Sequence, residues 1–176
     1  LTWPALASDA CGGSRSVGGP DKRMVRSLGI DPGSRITGFG VIDAEDNRLR
    51  AVVSGTIALG QAPVVDRLGR IFEEVRSLID EHRPHEVAVE QVFMHRNPQS
   101  ALKLGQARGA AIVGASGRGL PVFEYSATQI KQATTGRGHA EKGQVQHMIR
   151  VLLALDTTPA PDAADALAAA IAHSHY

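Results

Sequence analysis

The sequence is almost free of cysteine, since Cys11 is the only one among 176 residues. A single thiol supports neither a disulfide framework nor a zinc site built from thiolates. The chain also has no apolar run long enough to span a membrane, and its formal net charge is +1. These absences exclude a disulfide-stapled scaffold and a helical membrane protein, and we expect a cytoplasmic location.

Two nucleotide-binding motifs are absent as well. Gly33 and Gly38 have the spacing of the P-loop glycines, but Phe39-Gly40 stands where that motif needs Lys followed by Ser or Thr. No Gly-x-Gly-x-x-Gly pattern marks a dinucleotide-binding turn. Residues 31–40 therefore predict a turn between strands, whose glycines let the backbone approach a neighbour or a phosphate closely. The alternative is a plain hairpin capped by Asp31.

The hydrophobic fraction of 43% is sufficient for the core of one compact domain. Residues 1–23 differ from the rest, because they combine small residues, paired glycines and proline without the features of a signal peptide. We expect a disordered N-terminal extension over residues 1–23 and a folded domain over residues 24–176.

The hydrophobic pattern predicts five strands and five helices. Three strands in succession favour antiparallel pairing, and the later alternation of helices and strands favours parallel crossover units. The predicted fold class is α/β, a five-stranded mixed sheet flanked by helices, in the element order of the ribonuclease H-like fold. The predicted strands cover residues 25–31, 37–43, 49–59, 85–90 and 121–125. The predicted helices cover residues 64–79, 98–116, 127–133, 141–155 and 161–173.

Four acidic residues follow apolar runs or begin a helix. Asp31 and Glu90 each end a predicted buried strand, where a carboxylate is costly unless it is paired or bound to a metal. Asp162 and Asp165 are three apart and project from nearly one face of the last helix. The alternative for Asp162 is simple, because Asp at a helix start complements the helix dipole. Two strand-end acids together favour a shared site.

Carboxylates without cysteine favour hard cations, which predicts Mg²⁺, with Mn²⁺ able to substitute. Two ions about 4 Å apart would activate a water and stabilise the leaving oxygen of a phosphodiester. The sequence therefore predicts a metal-dependent enzyme with Asp31, Glu90, Asp162 and Asp165 as catalytic and metal-binding residues.

A basic segment accompanies these acids. Residues 91–150 contain eight Lys or Arg against two Glu, a net charge of +6. Such a segment suits a polyanionic substrate, and Arg96 and Arg137 are candidate DNA contacts within it. Phe93, just past Glu90, could stack on a base. The alternatives are ordinary solvated helix faces for the cations and a core contact for Phe93.

The second predicted helix carries small residues every four positions, Ala101, Gly105 and Gly109. Small residues at this spacing let another backbone approach closely. The pattern predicts either a symmetric dimer interface or close packing on the protein's own sheet.

The order of several motifs closely resembles the RuvC family of bacterial Holliday-junction resolvases from about Met24 to His173. The matching blocks are Leu28–Ser34, Thr37-Gly38, Glu90–Phe93, Ser100–Gly109, Pro121–Tyr125, Ala140–Lys142, Gln144–Met148 and Asp162–Leu167.

The resemblance implies a homodimeric endonuclease that binds a four-way DNA junction and nicks two strands of like polarity, leaving 5′-phosphate and 3′-hydroxyl ends. It assigns the catalytic carboxylates to the four acids above. Lys131 and Lys142 match basic residues used on DNA, and Phe93 matches an aromatic that engages the junction. It also implies work with a branch-migration motor, the RuvA and RuvB proteins, and no membrane.

Two other classes remain as alternatives. A phosphotransferase of the actin and sugar-kinase type uses a similar glycine hairpin, but it needs two such domains, and 176 residues are too few. A non-catalytic junction-binding module is disfavoured because all four carboxylates are present.

Overall fold

The computed structural model describes residues 24–46, 48–91 and 97–176. The predicted disorder of residues 1–23 therefore lies outside the described residues, as do Phe93 and Arg96. Within the described ranges, no helix has both the length and the apolar composition that crossing a membrane requires.

Five strands and five helices make up the described part of the chain, as the hydrophobic pattern predicts. The strands are β1 (Val25–Asp31), β2 (Ile36–Glu45), β3 (Arg48–Ala58), β4 (Glu86–Glu90) and β5 (Val122–Tyr125). The helices are α1 (Val64–His82), α2 (Pro98–Ser116), α3 (Ala127–Thr135), α4 (Lys142–Leu152) and α5 (Pro161–His175).

The strands form one mixed sheet in the order β3-β2-β1-β4-β5. The first three strands are antiparallel neighbours, and Asp31 at the end of β1 pairs with Gly38 of β2. Strand β4 lies parallel to β1, and β5 lies parallel to β4. Because the carboxyl ends of parallel neighbours meet at one edge, β1 and β4 bring Asp31 and Glu90 to the same edge of the sheet.

Helices cover both faces of the sheet. One core lies between the sheet and helices α1 and α2, and it includes Leu28, Val87 and Val89 from the central strands. The second core lies on the opposite face, where Ala88 of β4 meets α3, α4 and α5. The sequences of β1 and β4 are short apolar runs because both faces of each strand are buried.

Helix α5 packs with its backbone directly on the sheet. A Cβ added to Gly29 of β1 would lie 2.0 Å from the Ala166 carbonyl oxygen, and one added to Gly38 of β2 would lie 1.9 Å from the Asp162 carbonyl oxygen. The facing side of α5 is rich in buried alanine. The close approach expected of the Gly38 segment is therefore confirmed, with α5 as the neighbour. Neither Gly29 nor Gly38 has a positive φ.

Local signals determine the helix ends, with small departures from prediction. Asn97 caps α2, since its side chain accepts from the N–H groups of Gln99 and Ser100. Helix α1 runs three residues past the predicted Ile79, until Arg83 takes a left-handed conformation before Pro84. Helix α4 ends at Leu152 instead of Leu155, because Ala154 has a φ of 49°.

Substituting Gly29 by Ala tests the contact between α5 and the sheet. The added methyl would overlap the α5 backbone, so we expect a loss of about 1–3 kcal/mol of stability, as overpacked sites generally show. Gly69→Ala is the matched control, because a Cβ there meets nothing within 4 Å in the middle of α1. Thermal unfolding of the two variants checks this: equal melting temperatures would contradict the close contact.

Candidate active site

The four predicted carboxylates come together at the carboxyl edge of the sheet. Asp31 ends β1, Glu90 ends β4, and Asp162 and Asp165 lie in the first turns of α5. Burial, followed by the charges of Glu90, Asp165 and Asp162, raises the pKa of Asp31 to about 7. Burial and the charge of Asp165 likewise raise the pKa of Glu90. The acids are thus close enough to repel one another.

Lys142, at the start of α4, offsets part of this repulsion. Its Nζ lies 2.7 Å from Oδ2 of Asp165. The hydrogen bond to Asp165, with the charges of Asp165, Asp162 and Asp31, raises the pKa of Lys142 above its ordinary range. An ammonium group therefore stands among the carboxylates as their counter-charge.

A cavity of about 270 Å³ opens beside these groups. Its charged lining consists of Glu90, Asp165, Lys131 and Lys142, and its apolar lining includes Ile130 and Val145. Lys131 lies close enough for its charge to lower the pKa of Glu90, against the larger effect of burial. The cavity therefore brings two of the predicted acids and two of the predicted cations to one place.

The chemistry of the donor set fits divalent cations. The acids supply only oxygen ligands, which Mg²⁺ and Mn²⁺ prefer, and a cation would relieve the repulsion that raises the pKa of Asp31. Among the described residues, however, no three acidic, His or Cys side chains already converge as a preformed cage. In this arrangement the ammonium of Lys142 is the counter-charge that contacts Asp165.

Other predicted residues lie elsewhere or outside the described ranges. Arg137 lines a separate cavity of about 440 Å³ between α3 and α4, together with Gln144 and His147. Phe93 and Arg96 are not among the described residues. The two predicted lysines are thus the DNA-contact candidates that lie at the carboxylates.

Gly105 and Gly109 lie on the side of α2 that faces away from the sheet. A Cβ on Gly105 or Gly109 would meet nothing within 4 Å, whereas the side of α2 packed in the core carries Ala107, Ala111 and Ala115. Packing on the protein's own sheet is therefore the wrong interpretation for the two glycines. Ala101 is half-buried at the helix start.

Two polar side chains, Arg108 and His173, make contacts at the sheet that the sequence did not predict. Arg108 of α2 donates to the carbonyl oxygen of Glu90 and pairs with Glu124 of β5. At the far end of α5, His173 contacts the Tyr125 hydroxyl and the Glu86 carboxylate. A histidine or arginine of this kind looks like any surface residue in the sequence, because its partners are distant along the chain.

Comparison with known proteins adds the family. Residues 27–173 match the family model described as crossover junction endodeoxyribonuclease RuvC. The protein of that name from Marinobacter nauticus is 59% identical over 152 residues, which cover 86% of this chain and 87% of the relative. The one from Halorhodospira halophila is 57% identical, covering 87% of this chain and 92% of the relative.

Solved structures agree with this assignment. RuvC of Thermus thermophilus in complex with Holliday junction substrate superimposes with a TM-score of 0.80 at 38% identity, covering 85% of this chain and 93% of that one. The yeast mitochondrial Holliday junction resolvase Ydc2 shares the fold at 13% identity, with a TM-score of 0.64 over 88% of this chain and 81% of that one. The sheet order, the helices on both faces and these matches establish the ribonuclease H-like fold, and the chain belongs to the RuvC family of crossover junction endodeoxyribonucleases.

Proposed function

We propose that this protein is a structure-selective DNA endonuclease that resolves Holliday junctions in homologous recombination and DNA repair. It nicks two strands of like polarity symmetrically across the junction and leaves 5′-phosphate and 3′-hydroxyl ends. The observation that carries the proposal is the meeting of Asp31, Glu90, Asp162 and Asp165 at one edge of the sheet, in a chain that matches the RuvC family over residues 27–173. The folded resolvase domain is residues 24–176.

The four carboxylates would hold two Mg²⁺ ions, with Mn²⁺ able to substitute. When bound, such ions supply Lewis acidity for the attacking water and for the leaving oxygen of an in-line displacement. Asp31 and Glu90 hold their carboxylates at the ends of rigid central strands, and α5 presents Asp162 and Asp165 to them. The partly buried position of Asp31 strengthens electrostatic interactions there, since fewer waters screen them.

Lys142 takes a second role in this scheme. Its ammonium pairs with Asp165 in this structure, and cations held by the acids would leave it free to contact the scissile phosphate. Lys131 lines the same cavity and adds a second positive charge for the DNA backbone. Arg96, Arg137 and Phe93 are further proposed DNA contacts, and Arg137 lines the separate cavity between α3 and α4. The lysine and arginine contacts would be made to DNA phosphates, and such contacts position the substrate without reading its sequence.

Symmetric nicking needs two active sites related by a two-fold axis, so the acting form is a homodimer. Ala101, Gly105 and Gly109 of α2 form the contact between protomers. The open space around both glycines supports this role, as do the exposed apolar side chains of Leu102 and Val113 on the same helix. The branch-migration motor proteins RuvA and RuvB are proposed partners, and the cytoplasm is the proposed location.

Cleavage of a synthetic four-way junction tests the function. We expect paired symmetric nicks in a labelled junction with Mg²⁺, no nicks with EDTA, and little cutting of a linear duplex of the same sequence. Mapping the nicks on a denaturing gel distinguishes these cases. Equal cutting of the duplex would show a nuclease without selectivity for junctions. Binding of the junction without nicks in the presence of any divalent cation would show a non-catalytic binding module.

Asp31→Asn is the inactive control for this assay. Loss of the carboxylate should abolish the nicks but leave junction affinity unchanged, because the substitution removes no positive charge from the DNA surface. Glu73→Gln, an exposed position of α1, is the matched change that should keep full activity. Cleavage by the Asp31→Asn protein would show that Asp31 is not a catalytic residue.

The raised pKa of Asp31 predicts a pH dependence of stability without metal. The folded-state pKa of about 7 lies above the ordinary value of 3.8, so the folded state binds a proton that the unfolded state does not. Stability in EDTA should therefore rise as pH falls from about 8 to about 6. We expect the melting temperature to increase by about 2–4 °C for each kcal/mol gained.

Asp31→Asn should lack this contribution, and Mg²⁺ should weaken it in the wild type by keeping the carboxylate ionised. Melting curves at several pH values, with and without Mg²⁺, measure both effects. If the melting temperatures of the wild type and Asp31→Asn depend on pH in the same way, the pKa of Asp31 is not raised in the folded state.

Gly105→Leu tests the dimer contact. A Leu side chain finds open space in the protomer, so the fold should persist while the close approach of a second α2 is blocked. Light scattering should then report a monomer. Gly69→Leu, an equally open position on α1, should leave the dimer intact. A dimeric Gly105→Leu protein would place the interface elsewhere.

A further inference from the structure

Arg108 joins α2 to the strand end that carries Glu90. Its Nε donates to the Glu90 carbonyl oxygen at 3.3 Å, and its Nη2 lies 2.6 Å from Oε1 of Glu124 on β5. The side chain is mostly shielded, with 21% of its surface exposed. One guanidinium thus bridges the ends of two neighbouring strands.

The peptide unit that follows Glu90 is held on both sides by these contacts. The N–H of Gln91 donates to the carbonyl oxygen of Tyr125 at 2.8 Å, and the carbonyl oxygen of Glu90 accepts from Arg108. A peptide unit is planar, so fixing both of its polar groups fixes its orientation. The direction in which Glu90 projects its side chain follows from that orientation.

Arg108 acts from the face of the sheet opposite to the carboxylates. Glu124 pairs in register with Val89, whose side chain packs in the core beneath α1 and α2. Successive residues of a strand project to opposite faces, so the Glu90 carboxylate projects toward α5 and Asp165. The guanidinium therefore supports the backbone beneath the carboxylate, while the cavity stays on the other side.

A simple stability role explains these contacts less well. A partly exposed ion pair contributes little on average, and Arg118, just past the end of α2, forms such a pair with Asp80 of α1. Arg108 differs because it adds a bond to the backbone of Glu90. A guanidinium makes both contacts at once through its rigid fork of donors, which an ammonium lacks.

We propose that Arg108 is a positioning residue that sets the orientation of Glu90 for divalent-cation binding and strand cleavage. The inference rests on the proposed function, because it assigns Glu90 to the metal-binding set. It predicts that the shape of the side chain at position 108 matters, and not its charge alone.

Arg108→Lys is the test, because it keeps the charge and removes the fork. We expect the single-turnover cleavage rate on saturating protein to fall about 10- to 100-fold, the usual effect of removing an outer-shell support. The half-saturating Mg²⁺ concentration should rise in the same variant. Junction affinity, measured with Ca²⁺ in place of Mg²⁺, should stay within about twofold, since the charge is retained.

Calorimetry with Mn²⁺ and no DNA gives a readout that does not depend on activity. Arg108→Lys should bind Mn²⁺ more weakly than the wild type, and Arg118→Lys, the matched control, should bind it equally well. Glu124→Gln keeps an acceptor for Arg108 and loses only its charge, so we expect a smaller change in the same direction.

The outcomes separate the inference from the proposed function. A wild type that cleaves, beside an Arg108→Lys protein with unchanged rate and Mn²⁺ affinity, overturns the inference alone. Reduced junction affinity with an unchanged saturated rate overturns it too, in favour of a direct DNA contact. A wild type that never cleaves defeats the proposed function, and Mn²⁺ calorimetry still decides the role of Arg108. If the Arg108→Lys protein does not fold, a Glu124→Gln protein with the wild-type cleavage rate and Mn²⁺ affinity counts against the inference.

Discussion

The candidate site depends on one contact, the backbone of α5 lying directly on β1 and β2. Gly29 and Gly38 have no side chains, and the facing residues of α5 are alanines, so the helix lies closer to the sheet than larger side chains allow. This proximity brings Asp162 and Asp165 to the strand end that carries Asp31. A helix held further away by bulkier residues would separate the two halves of the carboxylate set.

Burying Asp31 and placing three other acids beside it has an electrostatic cost, and both effects raise the pKa of Asp31. The protein offsets this cost in part with Lys142, whose ammonium pairs with Asp165. The rest of the repulsion favours cations of higher charge, because a divalent ion interacts with several carboxylates at once. A site arranged in this way is unfavourable without counter-charge, so the proposed metal binding would also stabilise the fold.

The opposite face of the sheet holds the strand ends in place. Arg67 of α1 donates to the carbonyl oxygen of Ser34 in the turn after β1, and Arg108 of α2 donates to that of Glu90 at the end of β4. Each strand end that carries a predicted catalytic acid is thus supported by an arginine from a helix on the far side. The helices of this face thus contribute to the core and also contact the backbone at or just after these two strand ends.

The sequence by itself determined the elements, the edge at which the acids lie and the family. Strands β1 and β4 are short apolar runs that end in acids, and the pattern that identifies them is local. Only the tertiary structure decided that α5 rests on Gly29 and Gly38, that Lys142 pairs with Asp165, and that Arg108 supports Glu90. These partners are far apart along the chain. Their contacts depend on the packing of helices on two faces of the sheet, which the periodicity of one segment does not encode.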